Sequence, residues 1–265
     1  MNVFMREMKA NRKSLFLWSI GMILLIAASM GKYAGFSSTA GSMKDVIAQM
    51  PKALQDMMSL GGFDLSKVSG YYGVLFIYIV LMAAIHAAII GAAIISKEER
   101  DKTAEFLFVK PVSRNSILTA KLAVAFVHIL ILNLITYLSS LLFVSYFSKG
   151  EAVSGDITKL MVGMFIIQLI FLWIGASVAV SSPHPQSATA ISTGILLGTF
   201  VLSRAIEINS NLTFLQYLSP FQYFRAIDLM YGGSFQPVFI VCSVIIIGLL
   251  GVFTYMYNQK RDLHV

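Results

Sequence analysis

Six long apolar segments are the feature that most restricts how this chain can fold. At about 1.5 Å of rise per residue, each is long enough as a helix to cross a hydrocarbon layer roughly 30 Å thick. The segments lack the alternating pattern of barrel strands. We therefore predict an all-α polytopic membrane protein in which residues 1–265 form a single transmembrane domain. The six predicted transmembrane helices cover residues 15–31, 71–95, 122–147, 160–180, 187–206 and 237–257.

Composition excludes the other broad classes of protein. Charged residues make up 12% of the chain, whereas soluble domains have roughly 25%. The chain therefore has too few charges to cover a soluble surface. The single cysteine, Cys242, excludes an intrachain disulfide and a cysteine-based metal cluster. The net charge of +7 comes without a basic patch interleaved with aromatic residues, so we expect no nucleic-acid partner.

The distribution of Lys and Arg predicts the orientation in the membrane. Basic residues are dense before the first span and in residues 97–121, between the second and third spans. Together with the tail, that side of the membrane carries 12 Lys and Arg, and the other side carries 8. Because cytoplasmic connections are the more basic ones, we place both termini and residues 97–121 in the cytoplasm.

Three further connections have features of their own. Residues 1–14 alternate apolar and basic side chains, which predicts a short interfacial helix before the first span. The external loop 32–70 contains two short helical patterns, and Pro51 is placed to open the second of them. The external connection 207–236 contains the apolar stretch 214–221, which is too short to span and predicts a re-entrant or interfacial segment.

The connection between the second and third spans combines charge with an apolar patch. Ser96 and Glu99 have the spacing of a capping box, which predicts a helix start at Ser96. Residues 106–109 are apolar, Pro111 forces a turn, and a second helix can begin near Ser113. Two interpretations remain open: a docking element for a partner, or a solvated loop whose aromatic residues fold back under the spans.

The spans lack the chemistry of a self-contained pump or an enzyme. They contain no Asp or Glu, which argues against ion-driven transport, and the chain has no P-loop for ATP. His86 and His128 are embedded without an acidic partner in any span, which favours helix packing over a role as ligands or proton relays. Glu98-Glu99 resembles the paired glutamates of membrane proteases, but those need an Arg where Thr103 stands. We expect no enzymatic activity.

Small residues recur at four-residue spacing in two spans. Such faces let helices approach closely. They can serve either as a dimer or pathway face or for packing within one subunit, and the sequence does not choose between these alternatives. The residues concerned are Ala84, Ala88 and Ala92 in the second span and Gly194 and Gly198 in the fifth.

The connection and its surroundings resemble the membrane (permease) subunit of ABC-2-type ABC transporters. The resemblance extends over nearly the whole chain, although Lys102 stands where that family usually has Gly, and Ala104 where it often has Leu. The most specific matching residues are Glu98-Glu99, Thr103, Glu105-Phe106-Leu107, Pro111-Val112-Ser113-Arg114 and Lys121. The segment from Met50-Pro51 to Leu54 before Gly61-Gly62, Leu218-Ser219-Pro220, and the tail Lys260-Arg261-Asp262 are also similar.

This resemblance implies partners that the chain itself lacks. It implies two copies of a cytoplasmic ATP-binding subunit, which hold ATP and Mg, and a second membrane subunit that is a copy of this chain. Spans 2 and 5 would line the pathway between the two membrane subunits. The coupling helix that contacts the ATPase would include Glu98, Glu99, Arg100, Thr103, Glu105, Phe106, Pro111 and Arg114. A second cytoplasmic contact would be formed by Pro183, His184 and Pro185.

The resulting hypothesis is a permease subunit of an ATP-driven exporter in a prokaryotic plasma membrane. The aromatic, Met and small residues of the spans suit an amphipathic or hydrophobic substrate, such as a peptide antibiotic, a drug or a lipid. Polar side chains available within the spans are Asn133, Thr136, Tyr137, Gln168 and Thr199. The alternatives are a membrane scaffold or sensor that docks a cytoplasmic partner, and a passive channel.

Overall fold

The computed structural model describes residues 3–38, 49–57, 62–100, 113–148 and 153–260. All the regular secondary structure within these ranges is helical. The α-helices are α1 (Val3–Ser38), α2 (Lys52–Met57), α3 (Val68–Arg100), α4 (Arg114–Phe147), α5 (Ser154–Ser181), α6 (Ala188–Ile208), α7 (Ala226–Leu229) and α8 (Pro237–Lys260). Two 3-10 helices, Ser210–Leu218 and Pro220–Gln222, lie between α6 and α7.

Six of the described helices are long and apolar enough to cross a membrane, which confirms the six predicted spans. In the most apolar 18-residue stretches of α3, α4 and α5, 61%, 56% and 61% of the stretch is buried inside the bundle. The corresponding shares for α1, α6 and α8 are 22%, 22% and 17%. Helices α3, α4 and α5 therefore form the core of the bundle. The outer helices expose large apolar side chains such as Leu17, Val201 and Val244, as expected for a surface that contacts lipid.

The closest packing in the core joins α3 to α5 through glycines. A Cβ atom added to Gly91 would lie 2.4 Å from the carbonyl oxygen of Leu172. One added to Gly175 would lie 2.4 Å from the carbonyl oxygen of Ala88 and 2.9 Å from the backbone nitrogen of Ala92. The two backbones can approach this closely only because these positions carry no side chain.

Burial separates the two groups of small residues. Ala84, Ala88 and Ala92 are fully buried within the chain, which favours the alternative of packing within one subunit. Gly194 and Gly198 on α6 differ, because they are exposed and a Cβ added at either would meet nothing within 4 Å. The face of α6 remains a predicted contact surface.

Two predicted helix starts also differ from the structure. The expected short interfacial helix is not separate, because α1 runs without a break from Val3 through the first span. The capping box at Ser96 is wrong, since α3 continues through this residue to Arg100. The Ser96 hydroxyl instead donates to the carbonyl oxygen of Ala92 at 2.9 Å, one turn back in the same helix. The start near Ser113 is confirmed, and the Ser113 hydroxyl accepts from the Ser116 amide at 3.2 Å.

The described part of the loop between α1 and α3 contains one of the two predicted helical segments. Helix α2 begins directly after Pro51, as predicted. The first pattern, over residues 43–50, lies largely outside the described residues.

The two ends of the bundle are named as follows. The connection end is the end where α3 ends and α4 begins, and the cavity end is the opposite end, where α6 ends.

Candidate functional site

A cavity of about 360 Å³ opens at the cavity end of the bundle. It lies between the start of α3 and the end of α6, and the connection that follows α6 closes it. This volume falls within the range of roughly 300–1,000 Å³ that is usual for small-molecule sites. Its lining includes the aromatic residues Phe63, Phe76, Phe200, Phe221 and Phe224 and the polar residues Arg204, Glu207, Thr213, Gln216, Gln222 and Arg225.

The aromatic wall of the cavity is held by contacts between rings. Phe221 lies with its centroid 5.2 Å from Phe171 in the core and 5.3 Å from Phe200, which meets it edge-on at 81°. Phe224 meets Phe235 at 5.8 Å, also nearly edge-on. Edge-to-face packing of this kind is favourable and orients the rings. The cavity therefore has a firm apolar wall.

Two arginines lie on the polar side of the cavity, and each has an acidic partner three residues later. Arg204 pairs with Glu207 at 2.7 Å, and its guanidinium lies 5.5 Å from the centre of the Phe200 ring. Arg225 donates to both carboxylate oxygens of Asp228, at 2.6 and 3.0 Å. The bidentate geometry orients the planar guanidinium of Arg225.

Polar contacts attach the connection after α6 to the bundle. Gln222 donates from its amide nitrogen to the carbonyl oxygen of Ser203 at 2.7 Å and to the Ser203 hydroxyl at 2.9 Å. The Ser219 hydroxyl donates to the carbonyl oxygen of Thr199 at 2.8 Å. Ser219 and Gln222 are buried against α6, whereas Phe214, Tyr217 and Leu218 are exposed. A re-entrant or interfacial position of this stretch stays a prediction.

Tyr223 links the same connection to α8. Its ring stacks on Phe239 of α8, with centroids 5.0 Å apart and planes inclined by 11°, and its hydroxyl donates to the carbonyl oxygen of Tyr217. Burial, with a smaller contribution from the nearby Cys242, raises the pKa of the Tyr223 phenol to about 12. The phenol is therefore neutral at physiological pH and remains a hydrogen-bond donor.

At the connection end, the structure describes both sides of the predicted coupling segment. Glu98, Glu99 and Arg100 form the last turn of α3, and Arg114 begins α4. The remaining predicted coupling residues, Thr103, Glu105, Phe106 and Pro111, lie outside the described residues. Their proposed contact with an ATPase stays a prediction.

The predicted second contact lies at the same end, in the turn between α5 and α6. The carbonyl oxygen of His184 accepts hydrogen bonds from the Ser182 hydroxyl at 3.0 Å and from the Ser187 hydroxyl at 2.9 Å. Pro183 and the His184 side chain are exposed, and Pro185 is half-buried. The turn is thus internally braced and accessible from outside the bundle.

The two embedded histidines lie in one region of the core. His86 on α3 and His128 on α4 are both buried. Trp18 of α1 meets the His86 ring edge-on at 5.4 Å, which agrees with a role in helix packing. Within the described residues, no cluster of three or more His, Cys, Asp or Glu is placed to hold a metal ion.

Some of the polar side chains within the spans join helices to one another, and others bond within their own helix. Asn133 of α4 donates to Gln168 of α5 at 3.1 Å and to the carbonyl oxygen of Met161 at 3.2 Å. Thr136 and Thr199 bond to backbone carbonyls of their own helices. The side chains that line the cavity were missed by the sequence analysis. The available signal was the pair of arginines on either side of the apolar stretch 214–221.

The fold and the cavity together define a polytopic α-helical membrane protein with a chamber large enough for a small solute. The chain belongs to a family of efflux permeases: the family model described as "Multidrug efflux system permease Rv1217c, C-terminal domain" matches residues 7–256. No curated protein matches the chain at a significant level. Membership of this family, together with the six candidate spans, indicates a membrane transport subunit.

Proposed function

We propose that this protein is the permease subunit of an ATP-driven exporter of the ABC-2 type. The observation that carries the proposal is the match to a multidrug efflux permease family over residues 7–256. The chain has no P-loop of its own, so an efflux function requires an energy source outside this sequence. Two copies of a cytoplasmic ATP-binding subunit, which hold ATP and Mg, would supply it.

The connection end is the proposed cytoplasmic side, where the ATPase docks. Residues 98–114 join the ends of two core helices, so a force on this segment would act on both. The turn at Pro183–Pro185 would make the smaller contact, since it lies at the same end of the bundle. ATP-driven closure of the two ATPases would then tilt the spans as rigid bodies and switch access to the pathway.

A second copy of this chain would complete the pathway. The exposed face of α6 that contains Gly194 and Gly198 is the proposed contact surface, because it lacks a helix partner within the described chain. Small residues at this spacing allow two helices to approach closely. The plasma membrane of a prokaryotic cell is the proposed location.

The proposed substrates are amphipathic or hydrophobic compounds. The lining of the cavity combines aromatic rings with a few polar groups, which is the usual composition of a small-molecule site. Its position at the end of the bundle opposite the proposed ATPase contact would suit the exit side of an exporter. A peptide antibiotic, a drug or a lipid would each satisfy this description.

Reconstitution with the ATPase encoded beside this chain tests the proposal. Stable co-purification, ATPase stimulation by an amphipathic compound and ATP-dependent uptake into inside-out vesicles are the expected results. Glu99→Ala combined with Arg114→Ala should uncouple transport, whereas Lys32→Ala, at the cavity end of α1, should not. Binding of a partner without transport would favour a scaffold or sensor, and flux without ATP would favour a passive channel.

A further inference from the structure

Among the described residues that line the cavity, cationic side chains outnumber anionic ones. Arg204 and Arg225 line it with two positive charges, and Glu207 lines it with one negative charge. Asp228, the partner of Arg225, is not among the lining residues. The described lining therefore carries two cations and one anion, while Asp228 balances the charge of Arg225 from outside the lining.

Arg225 has donors left for a ligand. A guanidinium has five N–H donors, and Asp228 accepts from two of its nitrogens, Nε and Nη2. Arg225 lines the cavity and its side chain is 35% exposed, so a ligand in the cavity can reach this residue. The bond to Asp228 also holds the guanidinium in one orientation, which reduces the entropy lost when a ligand binds.

The rest of the lining suits an apolar body. Phe200, Phe221 and Phe224 contribute rings to the wall, and the Arg204 guanidinium lies over the Phe200 ring at 5.5 Å. An acidic group placed near both arginines would bring an attached ring system or chain against this wall. The cavity thus joins an apolar surface to a polar edge that includes the N–H donors of two arginines.

We propose that this cavity binds amphipathic anions, molecules that combine one carboxylate, sulfonate or phosphate group with an apolar body. Arg225 supplies the principal hydrogen bonds to the acidic group, Arg204 adds positive charge, and the phenylalanines contact the body. A cationic compound would instead meet two guanidiniums, and the carboxylates nearest to them are already engaged in ion pairs, so it should bind more weakly. The assignment rests on the proposed function only in treating the ligand as a compound that the permease exports.

Equilibrium binding of three matched fluorescent probes tests the assignment. The probes are 1-pyrenebutyrate, its primary amide and the corresponding butyl trimethylammonium compound, which share one ring system and differ in charge. They are titrated into the purified chain in nanodiscs of zwitterionic lipid, without any ATPase. The carboxylate should bind about tenfold more tightly than the amide, since charge-assisted hydrogen bonds are stronger than neutral ones. The ammonium compound should bind most weakly.

Variants separate the polar edge from the apolar wall. Arg225→Gln should remove the preference for the carboxylate over the amide, while Arg225→Lys should retain part of it. Phe200→Leu should weaken all three probes by a similar factor. Lys67→Gln is the matched control, because it removes an exposed positive charge at the same end of the bundle without touching the cavity. Size-exclusion profiles and thermal unfolding establish that each variant is folded.

Equal affinity for the three probes, preference for the ammonium compound, or an Arg225→Gln variant that still prefers the carboxylate would overturn the assignment. Nanodiscs that contain an anionic phospholipid distinguish two sources of the ligand: competition with 1-pyrenebutyrate identifies a lipid headgroup, and its absence identifies a soluble compound. Because binding needs no ATPase, intact anion binding without ATP-coupled export would contradict the proposed function alone. ATP-coupled export without anion selectivity in binding would contradict this inference alone.

Discussion

The ammonium group of Lys121 donates a 2.8 Å hydrogen bond to the backbone carbonyl oxygen of Ile94. Lys121 lies two turns into α4, Ile94 lies near the end of α3, and the lysine side chain is 4% exposed. The bond therefore joins the two core helices close to the point where residues 101–112 connect them. Lysine side chains are seldom fully buried unless they are paired, so this hydrogen bond helps to keep Lys121 inside the bundle.

Replacement of Lys121 by methionine should destabilise the protein. Lys121→Met keeps most of the side-chain volume but removes the charged donor at the junction of α3 and α4. We expect a loss of about 1–3 kcal/mol in the free energy of unfolding, together with weaker stimulation of a bound ATPase. Thermal unfolding in detergent measures the first effect. Lys97→Met, which removes a half-buried charge at the same end, is the control. Equal unfolding temperatures for both variants would contradict the prediction.

The contact between α3 and α5 should not tolerate a methyl group. Gly175→Ala places its Cβ atom 2.4 Å from the carbonyl oxygen of Ala88, so the helices must separate. We expect a loss of about 1–3 kcal/mol, the usual cost of overpacking a core. Gly198→Ala is the matched control because its Cβ atom meets nothing within 4 Å. If Gly175→Ala is as stable as Gly198→Ala in a thermal unfolding assay, the close packing of these helices is wrong.

The exposed face of α6 should form the contact between two copies of the chain. Cys242 is the only cysteine, so Cys242→Ser provides a background for single introduced cysteines. In this background, Gly194→Cys or Gly198→Cys should give a disulfide-linked dimer in membranes after mild oxidation. Val244→Cys, on the exposed surface of α8, should give little or none. Equal yields at α6 and α8 would show that the cross-links report random collisions.

Tyr223 should make stability depend on alkaline pH. Its pKa of about 12 in the folded protein lies above the ordinary value of 10.0, so the unfolded chain loses the phenolic proton first. The contribution is fully present below pH 10 and is lost as the pH rises from 10 to about 12. Unfolding temperatures measured from pH 9 to 11 should therefore fall less steeply for Tyr223→Phe than for the unmodified protein. Parallel slopes for the two proteins would remove Tyr223 as the cause.

The sequence predicted the spans well because hydropathy is a local property. A run such as residues 160–180 is apolar enough to identify its own environment, and Ser113 is recognisable as a helix start from its neighbours alone. The same local reasoning failed at Ser96. Its spacing to Glu99 fits a capping box, yet a serine inside a continuous helix can equally bond one turn back, as Ser96 does with Ala92. Only the path of the backbone distinguishes the two states.

Whether a small residue is buried or exposed depends on helices that are distant from it in sequence. Ala88 and Gly194 belong to the same kind of pattern, but Ala88 is buried against Gly175 and Gly194 is exposed. Nothing within either helix separates these outcomes. Each was decided by which neighbouring helix was available to cover that face.

By itself, the sequence determined the number of spans, the class of membrane protein and the concentration of charge between the second and third spans, because these follow from the cost of placing polar groups in hydrocarbon. The tertiary structure alone decided the cavity. Arg204 and Arg225 are separated by a connection that folds back over α6, and Gln222 and Ser219 fix it there by hydrogen bonds to that helix. A binding site made of such distant residues comes into existence only when the chain closes on itself.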